Sequence, residues 1–335
     1  MPTPSLISDF GFPPAHPVGQ GKVRIMRTQQ SILFSVVLFI TACGGGTSEV
    51  APVAEDATDK LVIYTVNYPL AYFAERIGDD LVEVHFRAPG DEDPALWKPD
   101  AETIAAYQAA DLILLNGAGY AKWTDLAALP PSRIVNTSEG FTDQFLPRAD
   151  TVTHSHGPEG EHEHVGWAFT TWLDPTLATR QAQAVAAAIA LLRPEQEPEI
   201  QLRMESLEGD LLDIDSRLQV AAEALGDEPL LFSHPVYQYL INRYQLNGVE
   251  VHWEPDQVPD GHAWDHLEKV LQSHPAKLMV WEGGPLEATV RALADRGISS
   301  IVFDPCGNRP DEGDYLSVMA ANAVALEGLG SGNSH

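Results

Sequence analysis

A chain of 335 residues with 44% hydrophobic and 8% aromatic side chains has enough apolar content for two packed domains, which excludes a disordered or fibrous protein. A formal net charge of -28 opposes nucleic acid and anionic membrane surfaces as partners and suits cations, or simple solubility outside the cell. With two cysteines, Cys43 and Cys306, there is no disulfide framework to organise the fold.

Met26-Arg27 precedes an apolar run from Ser31 to Ile40, which ends in Ile40-Thr41-Ala42-Cys43 and Gly44-Gly45-Gly46. Basic residues, a short apolar core, small residues and then cysteine are the order of a secretion signal with a lipobox. The apolar run is too short to span a membrane as a stable helix. Residues 1–43 are therefore read as a signal region with Cys43 as the lipidation site. The stretch before Met26 is either an over-called start or a long n-region containing Lys22 and Arg24. Residues 44–59 read as a flexible tether, so the protein is expected in the periplasm or on the outer face of the cell membrane, held by a lipid anchor.

From Lys60 short apolar strands alternate with amphipathic segments. Strands are expected at Leu61–Val66, Val82–Phe86, Asp111–Leu115 and Arg133–Asn136, with helices near 69–79, 100–109 and 122–129. This makes residues 60–173 an N-terminal α/β lobe. Asp174-Pro175 then supplies an N-cap carboxylate and an N1 proline. The periodic positions Ala178, Ala182, Val185, Ile189 and Leu192 follow it. After Pro194 and Pro198 a second stripe runs through Ile200, Met204, Leu207, Leu211, Ile214, Leu218, Ala221 and Leu225. At 1.5 Å per residue this helix is roughly 40 Å long, so residues 174–225 read as linking helices, a strut between lobes. Residues 226–330 repeat the first pattern as a C-terminal α/β lobe. Its strands are expected at Leu230–Ser233, Val249–Trp253, Leu278–Trp281 and Ile298–Phe303, with helices near 236–245, 263–273, 286–296 and 315–328. The fold class is α/β: two similar lobes with parallel sheets joined by a long rigid helix.

Open parallel sheets bind ligands beyond the carboxyl ends of their strands. Those ends carry Asn67-Tyr68, the loop 87–99, Asn116-Gly117, His234, Trp253-Glu254, Glu282 and Asp304. Catalytic signatures are missing: Gly117-Ala118-Gly119 lacks the third glycine of a dinucleotide loop, no Gly-x-Ser-x-Gly elbow or Walker loop occurs, and Cys306 has no adjacent histidine. No catalytic residue is assigned, and the protein is read as a binder rather than an enzyme. The richest ligand segment is the loop 153–164, where His154, His156, His162 and His164 are interleaved with three glutamates. It reads either as an auxiliary metal-collecting loop or as a solvated one. His262 and His266, four apart, read as an exposed pair on one helix face.

Phe232-Ser233-His234-Pro235-Val236-Tyr237-Gln238-Tyr239-Leu240, Val302-Phe303-Asp304-Pro305, Trp172-Leu173-Asp174-Pro175, the His-rich loop and the lipobox occur together and in order. From about Lys60 to Leu329 the chain resembles the solute-binding lipoproteins of zinc and manganese ABC importers, the metal-binding cluster of periplasmic binding proteins. The resemblance implies two α/β lobes on a rigid helix and one divalent metal, zinc or manganese, carried between them as cargo. It also implies an ABC-importer permease as partner and a ligand set of three histidines and a carboxylate. His234 takes the third histidine position and Asp304 the acidic one. In Asp93-Pro94-Ala95-Leu96-Trp97-Lys98-Pro99, however, Ala95 stands where the first histidine belongs. In Ala168-Phe169-Thr170-Thr171-Trp172, Thr170 stands where the second belongs.

An alanine offers no ligand atom, and a neutral hydroxyl is a poor one for zinc. Glu92, Asp93, Glu254 or Glu282 are the local substitutes, and His162 or His164 folding over the cleft is another. His252 is a further imidazole, but strand alternation sets it opposite Trp253 and is expected to turn it away. Trp97, Trp172, Trp253 and Trp281 lie near the rim, so the alternative cargo is an organic cation or metal chelate in a Trp- and Glu-lined cleft. Equally, those indoles pack the lobe interface. A secreted metal-dependent hydrolase and a scaffold-only adhesin are lesser alternatives. Nothing in the pattern calls for more than a monomer.

Overall fold

The computed structural model describes residues 60–148 and 166–330. The signal region with Cys43, the tether 44–59 and the four histidines of the loop 153–164 lie outside the described residues.

The N-terminal lobe is built from β1 (Leu61–Thr65), α1 (Tyr68–Gly78), β2 (Val82–Phe86), α2 (Ala101–Ala109), β3 (Leu112–Leu115), α3 (Trp123–Leu126) and β4 (Ile134–Asn136). Its four strands are parallel, in the order β2-β1-β3-β4. Next come α4 (Pro175–Leu192) and α5 (Glu197–Leu225). The C-terminal lobe is formed by β5 (Leu230–Phe232), α6 (Gln238–Tyr244), β6 (Gly248–Glu250), α7 (Gly261–Ser273), β7 (Leu278–Trp281), α8 (Glu287–Ala294), β8 (Ser299–Val302) and α9 (Tyr315–Gly330). This second parallel sheet has the matching order β6-β5-β7-β8. Each sheet reverses its winding between its first and third strands, which opens a crevice at their carboxyl ends.

Local chemistry starts the helices where the sequence indicates. Asn67, Asp100, Asp174 and Asp260 accept from the N–H groups of Leu70, Thr103, Thr176 and Ala263 at the heads of α1, α2, α4 and α7. α5, 29 residues long, buries Ile200, Met204, Leu207, Leu211, Ile214, Leu218 and Ala221 along one face. It packs against α1, α4, α6 and α9. One continuous apolar core therefore joins Ile63 and Leu114 of the first lobe, the α5 stripe, and Leu230, Val280 and Phe303 of the second. Such a shared core ties the two lobes together through close-packed side chains. The expected helix 122–129 is a single turn, α3, because Leu126 is 91% exposed and finds nothing to pack against.

Helices cover both faces of each sheet, so strand residues alternate between two buried surfaces. In β7, Val280 faces the shared core, while Met279 and Trp281 enter a smaller cluster with Val251, Trp253 and Leu267 on the outer face. Trp253 and Trp281 are accordingly core residues, 3% and 0% exposed, and not part of the cleft rim.

Candidate metal centre

Three strand ends of the C-terminal sheet meet at Ser233. Its N–H donates to the Val280 carbonyl at 2.8 Å, and its carbonyl accepts from the Trp253 N–H at 2.7 Å. The buried Ser233 hydroxyl accepts from the Glu282 N–H at 3.4 Å. The residues just beyond these ties, His234, Glu254 and Glu282, therefore project into one place. A ligand atom from each lies within 4.8 Å of the other two. Nδ1 of His234 is 3.5 Å from Glu254 Oε1 and 3.8 Å from Glu282 Oε1. Those are ion-pair distances, yet this buried nitrogen makes no hydrogen bond to any described residue.

The electrostatics are those of a site short of positive charge. Burial pushes the His234 pKa down against the pull of Glu254, which favours the neutral imidazole that metals require. Burial, then the charges of Glu254, Asp93 and Asp304, push the Glu282 carboxyl up to about 7. Burial also raises Asp304, an effect opposed by the Cys306 N–H that its Oδ1 accepts at 2.7 Å. A divalent cation among these groups would offset both the burial and the like-charge repulsion that raise the Glu282 pKa.

Not every expected ligand joins the cluster. Asp304 stands outside the group of three, because its backbone is pinned by Asn322 and its carboxylate is turned back onto Cys306. Glu92 and Asp93 lie on the N-terminal lobe's loop and are exposed; Asp93 accepts from the Ala95 N–H at 2.9 Å and acts on His234 and Glu282 only through its charge. Ala95 is buried, and the Thr170 hydroxyl donates to the Val236 carbonyl at 2.5 Å. Glu254 and Glu282, read as substitutes, are the two carboxylates brought to His234. His262 and His266 are exposed on α7.

The four tryptophans do not form a cage. Trp97 meets Trp123 edge-on at 6.3 Å, and only Trp172 of the four borders the interlobe cleft of ≈ 410 Å³, where Tyr120 and Phe169 supply the remaining aromatic wall. The Trp172 indole N–H donates to the Pro305 carbonyl at 2.7 Å. His252 lies 6.2 Å, ring to ring, from His234, contrary to the expectation that it turns away. Alternation does separate it from Trp253, but Trp253 is the residue that points into the core. Asn308 has no signature in sequence: its side-chain amide crosses the cleft to donate to the carbonyls of Pro89 at 2.6 Å and Glu92 at 3.0 Å.

Two parallel α/β sheets on a helical strut, with ligand atoms gathered at the strand ends of the second sheet, define a bilobal solute-binding architecture. The chain belongs to the family described as zinc-uptake complex component A, periplasmic, whose profile matches residues 63–328. It is 25% identical over 312 residues to the high-affinity zinc uptake system protein of Bacillus subtilis, covering 88% of this chain and 95% of that one. It is 24% identical over 318 residues to the manganese ABC transporter substrate-binding lipoprotein of Streptococcus pneumoniae, covering 89% and 96%. In fold it is similar to the crystal structure of a metal-dependent lipoprotein from Bacillus subtilis, with a TM-score of 0.69 at 23% identity over 80% of this chain and 98% of that one.

Proposed function

We propose that this protein captures one divalent metal ion, zinc or manganese, at His234, Glu254 and Glu282 and delivers it to the permease of an ABC importer. The observation that carries the reading is the convergence of one buried imidazole nitrogen and two carboxylates within 4.8 Å. One neutral nitrogen and two anionic oxygens balance the charge of a divalent ion, and both donor types are ordinary zinc ligands, while carboxylates also suit manganese. Family membership and the roles of the zinc and manganese relatives support the same cargo. The protein acts as a monomeric carrier tethered outside the cytoplasm through lipid on Cys43, and holds its cargo without transforming it. The loop 153–164, with four histidines among three glutamates, collects metal as an auxiliary segment. Isothermal titration of the full chain against H234A tests the site: the substitution removes the only nitrogen of the group and is expected to abolish tight binding. Equal affinity in both proteins refutes the assignment.

The cleft favours a second reading. Its ≈ 410 Å³ exceeds what a bare ion needs, and Tyr120, Phe169 and Trp172 line it beside Glu282. A metal chelate or organic cation fits that space. Quenching of tryptophan fluorescence by chelated but not free metal distinguishes this cargo from the first.

A further inference from the structure

We infer that His252 is a fourth metal ligand beside His234, Glu254 and Glu282, so that the ligand shell is built from three strand ends of the C-terminal lobe alone. The inference rests on the metal-carrier reading above and concerns how that site is completed.

β5 and β6 end at Phe232 and Glu250, but two backbone bonds tie the chain together beyond them: the Val251 N–H donates to the Phe232 carbonyl at 2.8 Å and the Trp253 N–H to the Ser233 carbonyl at 2.7 Å. Burial alternates along this stretch, with Val251 and Trp253 buried and His252 and Glu254 exposed, as it does where successive side chains take opposite sides. Val251 and Trp253 are buried in the outer cluster of the lobe, where Trp253 meets Trp264 at 4.8 Å and Trp281 at 6.2 Å. With those two anchored inward, His252 and Glu254 share the opposite side. Glu254 is already 3.5 Å from His234 Nδ1. His252 is its neighbour on that side, with its ring 6.2 Å from that of His234 at an interplanar angle of 73°.

The distance is close to the one a shared ion imposes. With metal–nitrogen bonds of about 2.0–2.1 Å in a tetrahedral shell, two imidazole centroids lie about 5–6 Å apart. His252 is exposed, so rotation of its side chain closes the difference without disturbing the core. Three protein ligands leave a tetrahedral ion open, whereas four close it, as in structural zinc sites. The N-terminal lobe offers no nitrogen at the expected positions: Ala95 has none, and the Thr170 hydroxyl is engaged by Val236. His252 supplies the missing imidazole from the opposite side of the cleft.

The test uses the full chain with His154, His156, His162 and His164 changed to glutamine, so that imidazoles of the loop do not compete. Histidine labelled with 15N is followed by NMR during zinc addition, and affinity is measured for this parent, H252A and H252E. Two imidazoles, those of His234 and His252, are expected to shift on loading. H252A is expected to weaken zinc binding by at least about 100-fold, beyond the 10–100-fold typical of losing a ligand's outer partner. H252E, which restores a donor, is expected to recover binding and to favour manganese relative to the parent. Tight binding by the parent with one shifted imidazole and an unchanged H252A overturns the fourth ligand and leaves the carrier reading intact. No binding by the parent removes the carrier reading and this inference together.

Discussion

Glutamine at position 282 keeps the shape of the side chain and removes its charge, which separates what this residue does for folding from what it does for cargo. In the folded protein burial and the neighbouring carboxylates raise the Glu282 pKa from an ordinary 4.5 to about 7. A carboxyl whose folded pKa lies above its unfolded one contributes fully below about 4.5. That contribution is lost as pH rises, the loss levelling off above about 7. At 1.36 kcal/mol per pH unit the gap is a ceiling of about 3 kcal/mol, trimmed to about 2–3 kcal/mol because the side chain retains some solvent contact. In a domain of this size 1 kcal/mol moves Tm by roughly 2–4 °C. Metal-free E282Q at pH 8, in chelator, should therefore melt about 5–10 °C above the parent, and at pH 5 the advantage should shrink to about 2–3 °C. Zinc should raise the Tm of the parent and leave that of E282Q nearly unmoved. Thermal denaturation at the two pH values, with and without metal, measures all of this. An E282Q protein that is less stable than the parent at pH 8, or equally shifted at both pH values, refutes the reasoning.

The remaining predictions concern the lobe junction. T170V leaves the part-buried Val236 carbonyl without the hydroxyl it accepts from at 2.5 Å, and should cost about 1–3 kcal/mol in urea denaturation while metal affinity stays within about threefold. A loss of metal binding in T170V at full occupancy of the folded state would contradict a structural role for this threonine. N308A removes the two bonds that reach from the second lobe to the Pro89 and Glu92 carbonyls, and should cost about 1–2 kcal/mol. Limited proteolysis should then cut the loop 87–99 faster than in the parent, and equal cutting rates would show that the amide does not restrain the loop.

Much of the scaffold was legible in sequence because its signals are local. The α5 stripe, the Asp174-Pro175 start and the strand ends at His234 and Glu282 each follow from side-chain period, capping chemistry or an apolar run. The site was only partly legible. Trp253 and Trp281 looked like rim residues because alternation tells that neighbours face opposite ways but not which side is the cleft, and here helices bury both faces of the sheet. The same ambiguity sent His252 away from the site in the sequence reading, although it lies beside His234 in space. Asp304 occupies the expected strand end, yet the Cys306 N–H two residues on claims its oxygen, a contact no spacing rule reveals. Asn308 has no signal in the sequence because a loop asparagine is ordinary until its partners across the cleft are known.

If His234, Glu254 and Glu282 form the site, the altered cleft holds a metal without the loop. Metal content and calorimetric titration of the full chain, compared with a chain lacking residues 153–164, test it most directly. The account predicts about one tightly bound zinc or manganese in both proteins, with only weaker extra binding lost on deletion. Weak binding by the full chain that disappears with the loop contradicts it, because the cleft residues His234, Glu254 and Glu282 would then hold no metal of their own.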